Sequence, residues 1–257
     1  MKLIDTHTHL YLENFNSDID KVIERAIENN ITQFFCPNVD LSTVDKLHDL
    51  VKKYPENCFP LMGLHPEAIK ENFEKDLGKI EELLSKNKYY GVGEVGIDLY
   101  WDKKYKEQQI EAFRFQVKLA KKMDLPVIIH TRDAFDEVFS VIDAENDENL
   151  RGIFHCFTGN LKQAQHIIDY SGFKLGIGGV MTYKNSGLSN VVKEVDIKHI
   201  VLETDSPFLP PTPKRGKRNE SSFLVYIAEF LAQLKQINIQ TVAQITTNNA
   251  VKVFFRK

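Results

Sequence analysis

The chain has 257 residues with 42% hydrophobic and 27% charged positions, the proportions of an ordinary globular protein able to bury a large core. A net charge of −3 and a pI near 6.3 exclude a broad basic face that coats nucleic acid, so any contact with phosphate has to be local. Cys36, Cys58 and Cys156 are widely spaced with no Cys-x-x-Cys pair, against a disulfide framework or zinc knuckle, and no apolar run approaches the roughly 18 residues of a membrane span; the expectation is a cytoplasmic protein without signal peptide or membrane contact.

The first strand starts at Lys2 and runs into His7-Thr8-His9. Side chains two apart on an extended chain share a face, so both imidazoles can converge on one ion. Ser17 and Asp18 can cap a helix that continues to about Asn30, with Ile19, Val22, Ile23, Ala26 and Ile27 as its apolar stripe. Residues 32–38 read as a strand stopped at Pro37, 41–53 as a helix, and 58–65 as a third strand ending on His65. Helix 73–86, strand 89–94, helix 105–122 and strand 127–130 follow, the two strands ending on Glu94 and His130.

A helix over 134–144 leads through an acidic turn to strand 152–155, which ends on His155. Residues 161–170 are helical in pattern, 173–179 form a glycine-rich strand, 191–195 a short helix and 200–205 the eighth strand, ending on Asp205. Two helices, 222–236 and 241–254, close the chain; Phe223, Tyr226, Ile227, Phe230 and Leu231 recur at helical spacing as a packing stripe.

The strands are short continuous apolar runs, as in a parallel sheet covered by helices. Eight β/α units without a long linker predict a single domain over 1–257, a (β/α)8 TIM-type barrel with extra C-terminal helices; a doubly wound open sheet is the alternative. Such barrels carry their working groups at the C-terminal ends of the strands. His7, His9, Glu94, His130, His155 and Asp205 all fall there and form the candidate metal set.

Imidazole and carboxylate without thiolate suit zinc, manganese, nickel or iron, and tolerate magnesium when waters complete the shell. One catalytic zinc takes about three or four protein ligands. One or two divalent ions (Mg, Mn, Zn or Ni) are therefore expected; two about 3.5 to 4 Å apart would employ all six groups, with Glu94 bridging.

Five segments together resemble the TatD family of metal-dependent hydrolases: His7-Thr8-His9, Gly93 to Asp98, Ile128 to Arg132, Phe154 to Gly159 and Leu202 to Pro207. The resemblance extends from Asp5 to Asn249-Ala250. It implies a distorted amidohydrolase-type barrel, a mono- or dinuclear divalent site with those six ligands, and magnesium-stimulated deoxyribonuclease activity. Glu94 stands where related amidohydrolases use a carboxylated lysine. One departure is Ser221, where the family segment resembling 215–220 is usually followed by proline.

On this reading the protein is a deoxyribonuclease that cleaves phosphodiester bonds by a metal-activated water, with Asp205 as general base and Glu94 as the second catalytic carboxylate. His65, Arg132 and, from the basic run Lys214, Arg215, Lys217 and Arg218, the pair Lys217 and Arg218 are the candidate phosphate contacts. Tyr100 and Trp101 offer rings on which a base can stack. His48, His166 and His199 fall away from the strand ends. The expected partner is DNA or another phosphodiester, with no obligate protein partner and a monomeric chain. A hydrolase of carboxylic esters or amides, for instance an aminoacyl ester on tRNA, is the second reading, and a non-catalytic metal-stabilised interaction protein the third.

Overall fold

The apolar runs become eight parallel strands in a computed structural model that describes residues 1–255. They are β1 (Leu3–Asp5), β2 (Ile31–Pro37), β3 (Cys58–Leu61), β4 (Val92–Asp98), β5 (Val127–Arg132), β6 (Gly152–Phe154), β7 (Phe173–Ile177) and β8 (Ile200–Leu202). Strands β1 to β3 form one ladder and β4 to β8 another, each in sequence order. Two seams join them. At one, Met62 bridges Val92, and the Gly93 N–H donates to the Met62 carbonyl at 3.1 Å. At the other, Thr8 bridges Ser206, and the Thr6 N–H donates to the Leu202 carbonyl at 3.1 Å. The ring is thereby closed, and the fold is a distorted (β/α)8 barrel.

The helices are α1 (Ile19–Glu28), α2 (Val44–Lys53), α3 (Phe73–Lys86), α4 (Lys106–Lys122), α5 (Phe135–Glu145), α6 (Leu161–Asp169), α7 (Leu188–Glu194), α8 (Leu224–Lys235) and α9 (Ile239–Phe254). Each of α1, α2 and α3 turns an apolar stripe to the strands; Val22, Leu47 and Ile80 are fully or almost fully buried there. The lumen holds a separate cluster of Ile4, Phe35, Leu61, Ile128, Ile153 and Val201, capped by Ala250, Val253 and Phe254 of α9. Phe254 stacks on Phe35 with ring centroids 3.6 Å apart. Because Ile128 and His130 alternate on one face of β5, this plug lies directly beneath the histidine layer.

Several boundaries differ from the sequence expectation. Strand β4 does not stop at Glu94 but runs to Asp98, because the ladder with β5 continues through Gly96 opposite His130 and Asp98 opposite Arg132. Strand β3 ends at Leu61, and His65 instead begins the short 3-10 turn Pro66–Ala68, its Nδ1 accepting the Glu67 N–H at 3.2 Å. Strands β6 and β8 are also shorter, since the chain turns into left-handed backbone at Cys156 (φ 43°) and Asp205 (φ 56°). Helix α7 begins three residues earlier than its pattern suggests, at Leu188, which is buried. No helix among the described residues is long and apolar enough to cross a membrane.

Candidate metal centre

The turn after β1 is clamped to the turn after β8: the Asp205 N–H donates to the His7 carbonyl at 2.9 Å, and the His9 N–H to the Ser206 carbonyl at 2.8 Å. The two imidazoles consequently point to one place, with their Nε2 atoms 3.1 Å apart. Glu94 Oε2 lies 3.2 Å from His7 Nε2 and 3.6 Å from His9 Nε2. Asp205 Oδ1 is 3.8 and 3.5 Å from the same two nitrogens. The other oxygen of Glu94, Oε1, is 2.8 Å from His130 Nδ1 and 3.5 Å from both His65 Nε2 and His155 Nε2.

One buried carboxylate thus presents each of its oxygens to a separate set of ring nitrogens. His7, His9 and Glu94 make one set of donors close enough to hold a single ion, and His65, Glu94 and His130 another. All six residues expected from the sequence as ligands meet here. So does His65, expected to touch phosphate, which the turn after β3 swings in among them.

The residues present fit divalent cations. Buried ring nitrogens that face each other at 3.1 Å can share at most one proton between them, whereas a cation accepts both lone pairs. His7 Nδ1 is moreover buried with no hydrogen-bond partner.

The charges are tuned to the same end. Burial pushes the Glu94 carboxyl up, but the charges of His7, His155 and His65 and the hydrogen bond from His130 hold it well below its ordinary value. Burial likewise raises Asp205, and the hydrogen bond from His9 with the charges of His155 and His7 brings it down. His7 is shifted downward, chiefly by burial and then by His155. His130 and His155 go the other way. Burial lowers both, yet Asp98 and Glu94 lift His130 to about 9, and Glu203 and Glu94 lift His155 to about 10. Ligation at these nitrogens releases protons.

Two carboxylates behind the imidazoles escaped the sequence reading. Asp98 Oδ2 lies 2.9 Å from His130 Nε2; a carboxylate only accepts, so the proton sits on Nε2 and Nδ1 is left for the centre. Glu203 Oε1 is 2.8 Å from His155 Nδ1, off the line of a hydrogen bond, and accepts the Cys156 N–H at 2.5 Å. Gly176 makes room for it, since a Cβ there would stand 2.3 Å from Glu203 Oε2. The alternation Glu94, Gly96, Asp98 along one strand face was the available signal for Asp98. Behind His9, the Tyr11 hydroxyl lies 3.0 Å from Nδ1 and donates to the Pro37 carbonyl at 2.6 Å.

The mouth opens into a cavity of about 330 Å³ lined by His9, Glu94, His130, Asp205 and Arg132. Arg132 is exposed, with its guanidinium 3.7 Å from the centre of the Tyr100 ring and 5.5 Å from that of Trp101. Arg218 is not brought to the mouth: it makes two 2.8 Å bonds to Asp18 at the start of α1 and lies over the Phe15 ring. Lys217 is exposed on the same loop. His48 donates to or accepts from Tyr89, and His166 pairs with Asp143, both remote from the centre.

Residues 4–255 match the model of the TatD related DNase family. The chain belongs to the TatD family. The uncharacterized metal-dependent hydrolase YabD of Bacillus subtilis is 40% identical, with 98% of each chain covered. The Escherichia coli metal-dependent hydrolase YcfH is 31% identical over 99% of this chain and 96% of its own. Among solved structures, the Escherichia coli TatD homolog YjjV superposes with a TM-score of 0.92 at 28% identity, covering 98% of this chain and 97% of that one. This TatD-family chain is a metal-dependent hydrolase, and the His/Glu cluster is where its metal can bind.

Proposed function

We propose that this hydrolase is a deoxyribonuclease that cleaves phosphodiester bonds. The observation that carries the reading is Arg132: an arginine that makes no ion pair among the described residues, facing the same cavity as Glu94 and Asp205, suits an anionic diester and has no equivalent need in a neutral carboxylic ester or amide.

One or two divalent ions (Mg, Mn, Zn or Ni) held by His7, His9, Glu94, His130, His155 and Asp205 would, when bound, make water acidic and neutralise charge growing on the phosphate. The chain's own groups do the rest. Asp205, kept ionised and lining the cavity, accepts the proton of the attacking water. Glu94 holds the two nitrogen sets in register through its two oxygens. Arg132 binds a non-bridging phosphate oxygen and so orients the diester, while the exposed ring of Phe208 lines the same cavity. Free Cys36, Cys58 and Cys156 support a reducing, cytoplasmic setting.

The test is degradation of single-stranded DNA by protein stripped of metal and then given Mg, Mn or Zn. Asp205→Asn is expected to lower turnover by about 10² to 10⁴-fold, and His130→Ala to abolish it. Turnover of aminoacyl-tRNA or amides with none of DNA would replace this reading by the carboxylic-ester one. No turnover of any ester with metal fully bound would leave a non-catalytic protein.

A further inference from the structure

The end of β2 supplies none of the centre's donors, yet three successive carbonyls there reach three of the residues that do. The Asn38 carbonyl accepts the Glu94 N–H at 3.1 Å, and the Val39 carbonyl accepts the His65 N–H at 2.8 Å. The Pro37 carbonyl accepts the Tyr11 hydroxyl at 2.6 Å, and the same hydroxyl oxygen lies 3.0 Å from His9 Nδ1. The first two links are backbone to backbone and indifferent to residue type. The third depends on one phenol.

A hydroxyl has one proton to donate and lone pairs with which to accept. A carbonyl only accepts, so the Tyr11 proton is committed to Pro37, and towards His9 the oxygen is the acceptor. His9 Nδ1 therefore carries the hydrogen, and Nε2 keeps its lone pair. That nitrogen is the one 3.1 Å from His7 Nε2 and 3.6 Å from Glu94 Oε2. Tyr11 is 5% and His9 3% exposed, so neither group has bulk water to fall back on if the contact is lost. Burial also holds the Tyr11 phenol well above its ordinary value, which keeps the proton on the oxygen. The two rings meet edge to face with centroids 5.9 Å apart.

His130 and His155 have carboxylates behind them, Asp98 and Glu203. His9 is different: Glu94 and Asp205 already stand within 3.6 Å of its Nε2. A neutral acceptor at its back sets the tautomer without adding a third negative charge.

We propose that Tyr11 is the positioning residue of His9: its hydroxyl, pinned to the Pro37 carbonyl, accepts the Nδ1 proton and so holds the Nε2 lone pair toward the donor set of His7 and Glu94. Tyr11 acts through His9 and not on substrate, so the expectation is the same whichever bond the hydrolase cleaves.

The experiment follows the imidazole nitrogens of metal-free, ¹⁵N-labelled protein at alkaline pH by two-bond proton–nitrogen correlation, with His9 assigned from the signals missing in His9→Gln. The unaltered protein is expected to show a protonated Nδ1 and a bare Nε2 on His9. Tyr11→Phe keeps the ring and deletes only the hydroxyl; it should move His9 toward the Nε2–H form and weaken Zn²⁺ binding, titrated by calorimetry, about 10 to 100-fold, with far-UV circular dichroism unchanged. A His9 proton found on Nε2 in the unaltered protein would overturn the proposal without recourse to any variant. So would a Tyr11→Phe protein that binds Zn²⁺ as tightly as the unaltered one. Weaker Zn²⁺ binding with the tautomer unmoved would make Tyr11 a packing residue and overturn it likewise.

Discussion

Asp98 and His130 are joined by a 2.9 Å contact between Oδ2 and Nε2, and the opposite oxygen of Asp98 accepts the Tyr100 N–H at 3.0 Å. A single carboxylate therefore fixes a ligand imidazole and the backbone of the ring that carries Arg132. The Asp98 N–H is in turn held by Gln109 Oε1 of α4 at 2.8 Å, so the arrangement is anchored on a helix rather than on a mobile loop.

Asp98→Asn keeps the shape but removes the charge that favours the Nε2–H tautomer. Metal affinity is expected to fall about 10 to 100-fold, measured by titration with Mn²⁺ or Zn²⁺, with far-UV circular dichroism unchanged. Unaltered affinity would reduce Asp98 to a loop-holding residue.

Removing metal should destabilise the barrel as a whole, because the ligands come from β4, β5 and the turns after β1, β6 and β8. At a metal concentration of about 100 times Kd the linkage contribution is about 2.7 kcal/mol. For a chain of this size that corresponds to a fall in Tm of roughly 5–10 °C on chelation, read by calorimetry with and without chelator. A Tm indifferent to chelator would mean that the donors are not coupled to folding.

The Arg218–Asp18 and Arg25–Glu220 pairs tie the loop after β8 to α1. Asp18 is lowered, first by its hydrogen bond from Arg218; Glu220 is lowered too, with Arg25 and Ser222 outweighing its burial. A depressed folded value adds stability at pH above the unfolded carboxylate value, and that stability is lost as pH falls through the folded one. Arg218→Met should cost about 1 kcal/mol at neutral pH, since the pair is partly exposed and screened. The difference from the unaltered protein should vanish in urea titrations taken progressively below about pH 4. A difference that persists at low pH would point to lost packing on Phe15 rather than to charge.

Phe254→Ala removes the ring that closes the lumen against Phe35. A loss of about 3–5 kcal/mol is expected from a buried phenylalanine, read as a lower urea midpoint. A change under about 1 kcal/mol would show that α9 is peripheral to the core.

Much of this was legible along the chain. Helix α3 coincides with the expected 73–86, and the strand order follows from the alternation of apolar runs with amphipathic helices. His7, His9, Glu94, His130, His155 and Asp205 stood out because strand ends in such a barrel share one mouth. What was not legible was local termination. Composition alone ends β4 at Glu94 and leaves Asp98 outside it, because the strand's continuation depends on pairing with β5. The place of His65 depended on the 3-10 turn that follows it.

The sequence by itself determined the barrel and the set of side chains at its mouth, since strand alternation is a property of a few consecutive residues. Tertiary structure alone decided their partners. It gave Asp98 to His130 and Glu203 to His155, turned both oxygens of Glu94 to different nitrogen sets, and committed Arg218 to Asp18 while leaving Arg132 and Arg215 on aromatic faces. Long polar side chains reach many positions from one backbone site, and which one they occupy is set by what residues distant in the chain bring within about 3 Å.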